Sequence, residues 1–139
     1  MAGRPAGPKT RCGGAWTEAR FNSFIKSALR GASRKWGPMQ ECLKRARTRR
    51  GHYMCAGCNK EVPATIRIGN KRHKNAIADH IEPVVDPEVG FIGWDEVVKR
   101  MFVELDGFQC LCKACHDSKC QEERDAAKAR RAKKRMANE

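Results

Sequence analysis

Apolar positions along the chain fall into a few short periodic runs separated by long polar stretches, and their spacing predicts the order of elements. From Thr17, a residue suited to cap a helix, Phe21, Phe24, Ile25, Ala28 and Leu29 recur at the spacing of one helical face, and Gly31 marks a stop. A second helix is expected with Pro38 in its first turn, running through Met39, Cys42, Leu43 and Ala46 to Gly51. Beyond Gly51 the texture changes. Tyr53, Met54 and the Cys55-Ala-Gly-Cys58 segment, followed by Val62 to Ile68, predict a short hairpin with two cysteines at its tip. The stretch from Arg67 to Asn75 (RIGNKRHKN) reads as a polar basic loop, and Ala76-Ile77-Ala78 leading into Asp79-His80-Ile81 reads as a strand. Trp94, Val97, Val98, Met101 and Phe102 return to helical spacing and predict a core helix, with Trp94 and Phe102 as core rather than as a platform for stacked bases. A strand from Phe108 to Leu111 follows. From Lys113 onward Ala, Lys, Arg and Glu dominate, predicting a helix packed at its start and exposed towards Glu139. The first fourteen residues mix Gly, Pro and basic side chains and predict a flexible arm, with Cys12 a bystander in it. No internal repeat is present.

At 139 residues the chain has room for one compact domain with flanks, a size at which a metal or disulfide commonly supplements the core. It contains no apolar run long enough to span a bilayer, and its opening MAGRPAGPKTRCGG lacks the hydrophobic stretch of a secretory signal. A cytoplasmic protein without membrane partners is therefore expected, and in that reducing setting its eight cysteines point to metal rather than disulfides. The formal charge of +13 is unevenly spread: residues 1–50 hold 13 Lys and Arg against 2 acids, residues 51–116 hold 8 against 9, and residues 117–139 hold 8 against 5. Basic flanks recruit a polyanion through counterion release, so nucleic acid is the leading partner, with a merely solvated basic surface as the competing reading. Lys44, Arg45, Arg47, Arg49 and Arg50 would suit either a phosphate backbone or the C-terminal dipole of the second helix.

Cys55-x-x-Cys58 and Cys112-x-x-Cys115 have the spacing by which two knuckles wrap a tetrahedral Zn2+. Four thiolates leave no open position, so such a zinc is expected to be structural; a redox Cys-x-x-Cys would require one motif, not two separated pairs. Closing the quartet also places His116 one residue beyond a rigid anchor.

The segments ADHIEPVVDP (78–87) and DGFQCLCKACHDSKC (106–120), with YMCAGC (53–58) upstream, resemble the signature blocks of HNH endonucleases of the four-cysteine zinc branch, in particular small HNH proteins of tailed phages. The resemblance spans about residues 53–123 and implies a small α+β fold: a zinc-stabilised ββα-metal, treble-clef-like core with N-terminal basic helices and a C-terminal basic helix. The domains expected on this basis are a basic arm (1–14), a basic helical region (15–51), the nuclease core (52–125) and a basic helical tail (126–139).

The resemblance further implies hydrolysis of DNA phosphodiesters, leaving 5′-phosphate and 3′-hydroxyl ends. Asp79 and His116 would hold a catalytic Mg2+, Mn2+ or Ni2+, and His80 would serve as general base. Double-stranded DNA is the implied partner, in the host cytoplasm if the protein is phage-encoded. Candidate DNA contacts are Arg45, Arg47, Arg49, Arg50, Lys71, Arg72 and Lys119, whereas His52 and His73 receive no role. Two positions depart from the family pattern. Gly107 stands where the middle Asn braces the loop of the base, so Asp106 would brace it instead, or Gly107 through its backbone. Cys120 lies one turn beyond His116, as a further ligand or as a small buried side chain. A non-catalytic zinc-finger protein that binds nucleic acid is the alternative from another functional class.

Overall fold

The first helix begins where the sequence puts its cap. In the computed structural model, which describes residues 6–138, Thr17 accepts a hydrogen bond from the Arg20 N–H at 3.2 Å, and α1 runs Glu18–Ser33. Gly31 lies inside this helix and does not end it, at a cost of about 1 kcal/mol relative to Ala. Residues 1–5 of the expected arm lie outside the described residues, but from Lys9 the chain is ordered by pairing. Strand β1 (Lys9–Arg11) runs antiparallel to β2 (Trp16–Thr17), and the reversal between them passes through positive φ at Cys12, Gly13 and Gly14. Thr10 and Arg11 both donate to the Glu18 carboxylate, at 2.7 and 3.0 Å, and the Arg11 guanidinium lies 4.1 Å from the centre of the Phe21 ring. From Lys9 on, the expected arm is thus corrected to a small β-turn unit: Gly13-Gly14 allow the reversal and Glu18 gives Arg11 a partner.

The chain divides into two compact units between Lys35 and Trp36, so the second helix groups with the cysteine-bearing unit. Helix α2 (Gly37–Ala46) carries Pro38 in its first turn and buries Cys42. It ends five residues earlier than the pattern predicts. Arg47–Arg49 instead form β3, which pairs with β4 (His52–Met54) across a turn where Gly51 adopts a φ of +76°. The arginines therefore lie on an edge strand and its turn, because a glycine in the left-handed region completes a hairpin that helix propensity alone does not reveal.

Strand β5 (Glu61–Pro63) completes the sheet β3-β4-β5, with the Cys55–Cys58 knuckle between β4 and β5 as expected. The stretch read as a polar loop is largely a second hairpin: β6 (Thr65–Ile68) pairs with β7 (Lys71–Lys74) about Gly69-Asn70, with Gly69 at φ +61°. Two turn residues between strand-length runs override the basic composition. Strand β8 (Ile77–His80) then pairs antiparallel with β9 (Phe108–Leu111), in the register Ile77↔Leu111, Ala78↔Cys110, Asp79↔Gln109 and His80↔Phe108. Between these strands lies α3 (Trp94–Met101), and after them α4 (Lys113–Ala137). The result is a small α+β protein of four α-helices and short antiparallel sheets among the described residues.

The core of the second unit is correspondingly modest. Cys42, Val97, Met101, Phe108, Cys110 and Leu111 are buried, and Cys55, Leu111 and Cys112 form a cluster with Val62 and Cys115 packed against it. Trp94 and Phe102 are half-buried and have separate aromatic partners: Trp94 meets Phe91 edge-on and Phe102 meets Trp36. The Trp36 indole N–H donates to the Val103 carbonyl at 2.7 Å, tying the start of α2 to the segment before β9. Two arginines pin the long connection from β8 to α3: Arg100 donates to the Pro83 carbonyl at 2.7 Å, and Arg130 of α4 to that of Pro87 at 2.9 Å. Among the described residues, no helix is long and apolar enough to cross a membrane.

Candidate metal centre and adjoining polar site

Cys55, Cys58, Cys112 and Cys115 converge with all four Sγ atoms within 4.8 Å of one another, close enough to hold a zinc ion. Tetrahedral Zn2+ bound at about 2.3 Å would set its sulfurs roughly 3.8 Å apart, so this donor set fits the ion with little adjustment. Local backbone shapes the two knuckles. Asn59, at φ +56°, returns its N–H to the Cys55 carbonyl at 2.9 Å, and the Ala56 N–H reaches the Cys110 carbonyl at 2.8 Å. A Cβ on Gly57 would lie 3.0 Å from both Cβ and Sγ of Cys115, so the residue between the first two cysteines must be small for the second pair to approach.

The thiols are already differentiated. Burial opposes ionisation of Cys55, but N–H groups of Cys112, Cys58 and Gly57 outweigh it and lower its pKa to about 6; the Cys112 N–H lies 3.2 Å from Sγ. Hydrogen bonding with Cys112, together with burial, pushes Cys115 up to about 12. Sulfurs crowded in this way resist carrying four negative charges without a cation among them, and a dication would relieve that conflict.

Adjacent to this centre, β8, β9 and the first turns of α4 bring Asp79, His80, Gln109, His116 and Lys119 together. The Asp79 side chain is 11% exposed. Its Oδ1 faces His116 Nε2 at 3.8 Å, while its Oδ2 accepts from Gln109 Nε2 at 3.0 Å and Lys119 Nζ at 2.8 Å. Gln109 is the cross-strand partner of Asp79, so strand register alone delivers that contact. Lys119 Nζ also donates to the His80 carbonyl at 2.5 Å and pairs with Glu123 at 3.2 Å. Burial disfavours its charge, but Asp79 and Glu123 prevail and raise its pKa.

His80 Nε2 lies 2.7 Å from the Met101 carbonyl oxygen near the end of α3. A carbonyl only accepts, so Nε2 is the donor here, and in the neutral ring this leaves the lone pair on Nδ1. The ring rests against buried Phe108 with centroids 4.8 Å apart.

Gly107 and Cys120, the two positions that depart from the HNH pattern expected from the sequence, sit in different settings. The Gly107 carbonyl accepts from the Ile81 N–H at 3.0 Å, directly after His80, and the Gly107 N–H donates to Glu104 at 2.9 Å. Gly107 thus braces this loop through its backbone, whereas Asp106 is exposed with no hydrogen bond among the described residues. Cys120 Sγ lies 3.7 Å from His116 Nε2 and 3.8 Å from Nδ1, an approach directed at neither lone pair. The only group of three or more His, Cys, Asp and Glu donors that closes within 4.8 Å among the described residues is the cysteine quartet, so Asp79 and His116 stand as a pair.

The candidate DNA contacts fall on separate elements. Arg45 on α2 is paired with Glu41 at 3.2 Å, and Arg49 on β3 with Glu61 at 2.7 Å; Arg47 and Arg50 are exposed without an ion pair among the described residues. Lys71 and Arg72 lie on the β6–β7 hairpin, where Arg72 donates to Thr65 at 2.9 Å. Lys119 faces Asp79 and not solvent. Met101, Gln109 and Glu123 complete this polar site without having been singled out in the sequence; their contributions arise from chain contacts and have no motif. Compared with family models, curated proteins and solved structures, the chain matches none.

Proposed function

We propose that β8, β9 and α4 form a ββα-metal nuclease site of the HNH type, and that the protein hydrolyses phosphodiester bonds of double-stranded DNA with His80 as general base. The observation that carries this reading is the orientation of His80: Met101 holds the protonated Nε2 and leaves Nδ1 free to take a proton from water. Asp79 Oδ1 and His116 Nε2, 3.8 Å apart, are the donors for a divalent ion; octahedral Mg2+, Mn2+ or Ni2+ held at about 2.1 Å would set two neighbouring donors about 3.0 Å apart, so binding would draw this pair closer by under about 1 Å. A bound ion would polarise the phosphate and stabilise the departing 3′-oxygen, giving a 5′-phosphate and a 3′-hydroxyl. The cysteine quartet, holding zinc, anchors the start of α4 and with it His116.

One observation favours a second reading, a zinc-bearing nucleic-acid binder without catalysis. Lys119 already neutralises Asp79, an arrangement that would also serve as a partly buried structural ion pair. Nicking of supercoiled plasmid separates the two readings. The nuclease should nick only with added Mg2+, Mn2+ or Ni2+, and His80→Ala should abolish nicking with zinc content and DNA binding intact. Asp79→Ala and His116→Ala should also inactivate, but with partial recovery at higher ion concentration. Wild-type nicking by purified His80→Ala protein would overturn the mechanism.

A further inference from the structure

We infer that Lys119 is the positioning residue of this site: its ammonium fixes the Asp79 carboxylate and the His80 backbone together, so that only Oδ1 of Asp79 is offered to a metal ion. The inference rests on the nuclease reading and goes beyond it by assigning a role to a side chain outside the ligand pair and the base. An ammonium has three N–H donors and no acceptor. Those donors meet Asp79 Oδ2 at 2.8 Å, the His80 carbonyl at 2.5 Å and Glu123 Oε1 at 3.2 Å, on a side chain only 23% exposed. With two donors in hydrogen bonds and Glu123 beside the third, the ammonium is turned towards Asp79 and His80 rather than towards a substrate phosphate. Asp79 Oδ2 takes a second hydrogen bond from Gln109, whereas Oδ1 has only His116 near it, at 3.8 Å, beyond hydrogen-bond range. One carboxylate oxygen is therefore engaged twice and the other presented. The same ammonium grips the backbone of the residue that carries the base, so ligand and base share one anchor on α4.

Two effects of removing this cation pull in opposite directions. Loss of the anchor frees the Asp79 rotamer and the His80 backbone, which impairs the chemistry. Loss of the positive charge leaves Asp79 and Glu123 uncompensated, which strengthens attraction for a dication. A merely structural lysine would instead weaken both fold and ion binding. Lys119→Met, with its similar length and no charge, distinguishes these roles.

The experiment titrates Mn2+ into zinc-loaded protein, following free Mn2+ by electron paramagnetic resonance, and measures plasmid nicking at saturating Mn2+. Lys119→Met should bind Mn2+ several-fold more tightly than wild type, yet nick on the order of 100-fold more slowly. Lys119→Arg, which keeps the charge, should return Mn2+ affinity to near the wild-type value, and it carries the test if the Met variant does not fold. Asp79→Ala should lose Mn2+ binding. Wild-type nicking by Lys119→Met, Mn2+ binding weakened tenfold or more in that variant, or an absence of Mn2+ binding by the wild type would each overturn the assignment. For the Arg variant, a tenfold change in Mn2+ affinity would do so. Failure of the nuclease reading looks different: His80→Ala would nick like wild type while the Mn2+ titrations still report on Lys119.

Discussion

Gly107 stands where a side chain has no room. A Cβ built there would lie 2.5 Å from Cγ2 and 2.8 Å from Cβ of Val103, a β-branched residue with little rotamer freedom to yield. Gly107→Ala should therefore destabilise the protein by about 1–3 kcal/mol in chemical denaturation, and Gly107→Asn by more. Adding Val103→Ala to Gly107→Ala should recover part of the loss, a non-additivity that a double-mutant cycle would measure; strict additivity would show that Val103 is not the obstacle. This contact explains why the loop after His80 is braced through a backbone carbonyl. It also marks the limit of what the residues alone reveal about the site. The four cysteines were legible because their spacing carries chemistry, whereas Asp79, His80 and His116 were picked out through the family resemblance, and the structure brings them side by side. The Met101 carbonyl, 21 residues from His80, was not legible, since any residue there presents the same oxygen. Gln109 becomes a partner of Asp79 only once strand register is known.

At the scale of elements, legibility followed the strength of the local pattern. Thr17 as a cap, α3 over Trp94–Met101 and β9 over Phe108–Leu111 emerge as the periodicity predicts, because each joins a clear apolar repeat to an unambiguous boundary. Gly31 failed as a stop inside α1, but the missed strands share a cause: basic side chains masked them. Arg47–Arg49 and Lys71–Lys74 are exposed enough for Arg and Lys to be tolerated, and left-handed glycines at 51 and 69 decided their conformation. Helix α4 departs in another way, since its exposed half still holds a loop. The Arg130 guanidinium would lie 2.9 Å from a Cβ at Gly90, whose φ is +86°, and it bonds the Pro87 carbonyl. Arg130→Ala should cost about 1 kcal/mol and speed hydrogen exchange at Val89 and Gly90, whose amides bond the Asp86 carbonyl at 3.1 and 2.7 Å. Unchanged exchange at those two amides would show that the turn holds itself.

At the scale of the whole molecule, two quantities organise the chain: a small core that needs support, and a large positive charge. The cysteine quartet can supply the support by holding a zinc ion. Cys55→Ser or Cys115→Ser should lose zinc and unfold or aggregate the unit beginning at Trp36, and a folded, zinc-free Cys55→Ser protein would contradict that role. The charge has a more discriminating consequence on the proposed reading that DNA is the partner. Each cation that neutralises a phosphate contributes about 0.9 to the slope of log affinity against log salt, but only if it is not already satisfied within the protein. Arg45 and Arg49 are held by Glu41 and Glu61, whereas Arg47 and Arg50 carry no such pair among the described residues. Truncating the first fourteen residues would be a poor probe, because Lys9–Arg11 belong to a strand. Substitution is cleaner: Arg47→Gln with Arg50→Gln should flatten the salt dependence by nearly two, equally on unrelated DNA sequences, since phosphate contacts carry no base information. Arg45→Gln with Arg49→Gln should flatten it by less, because each of those arginines must give up a carboxylate partner to meet a phosphate. Binding isotherms from 50 to about 200 mM salt on two unrelated duplexes would measure both slopes. Equal slopes for wild type and the Arg47/Arg50 variant would remove this edge strand from the DNA-binding surface.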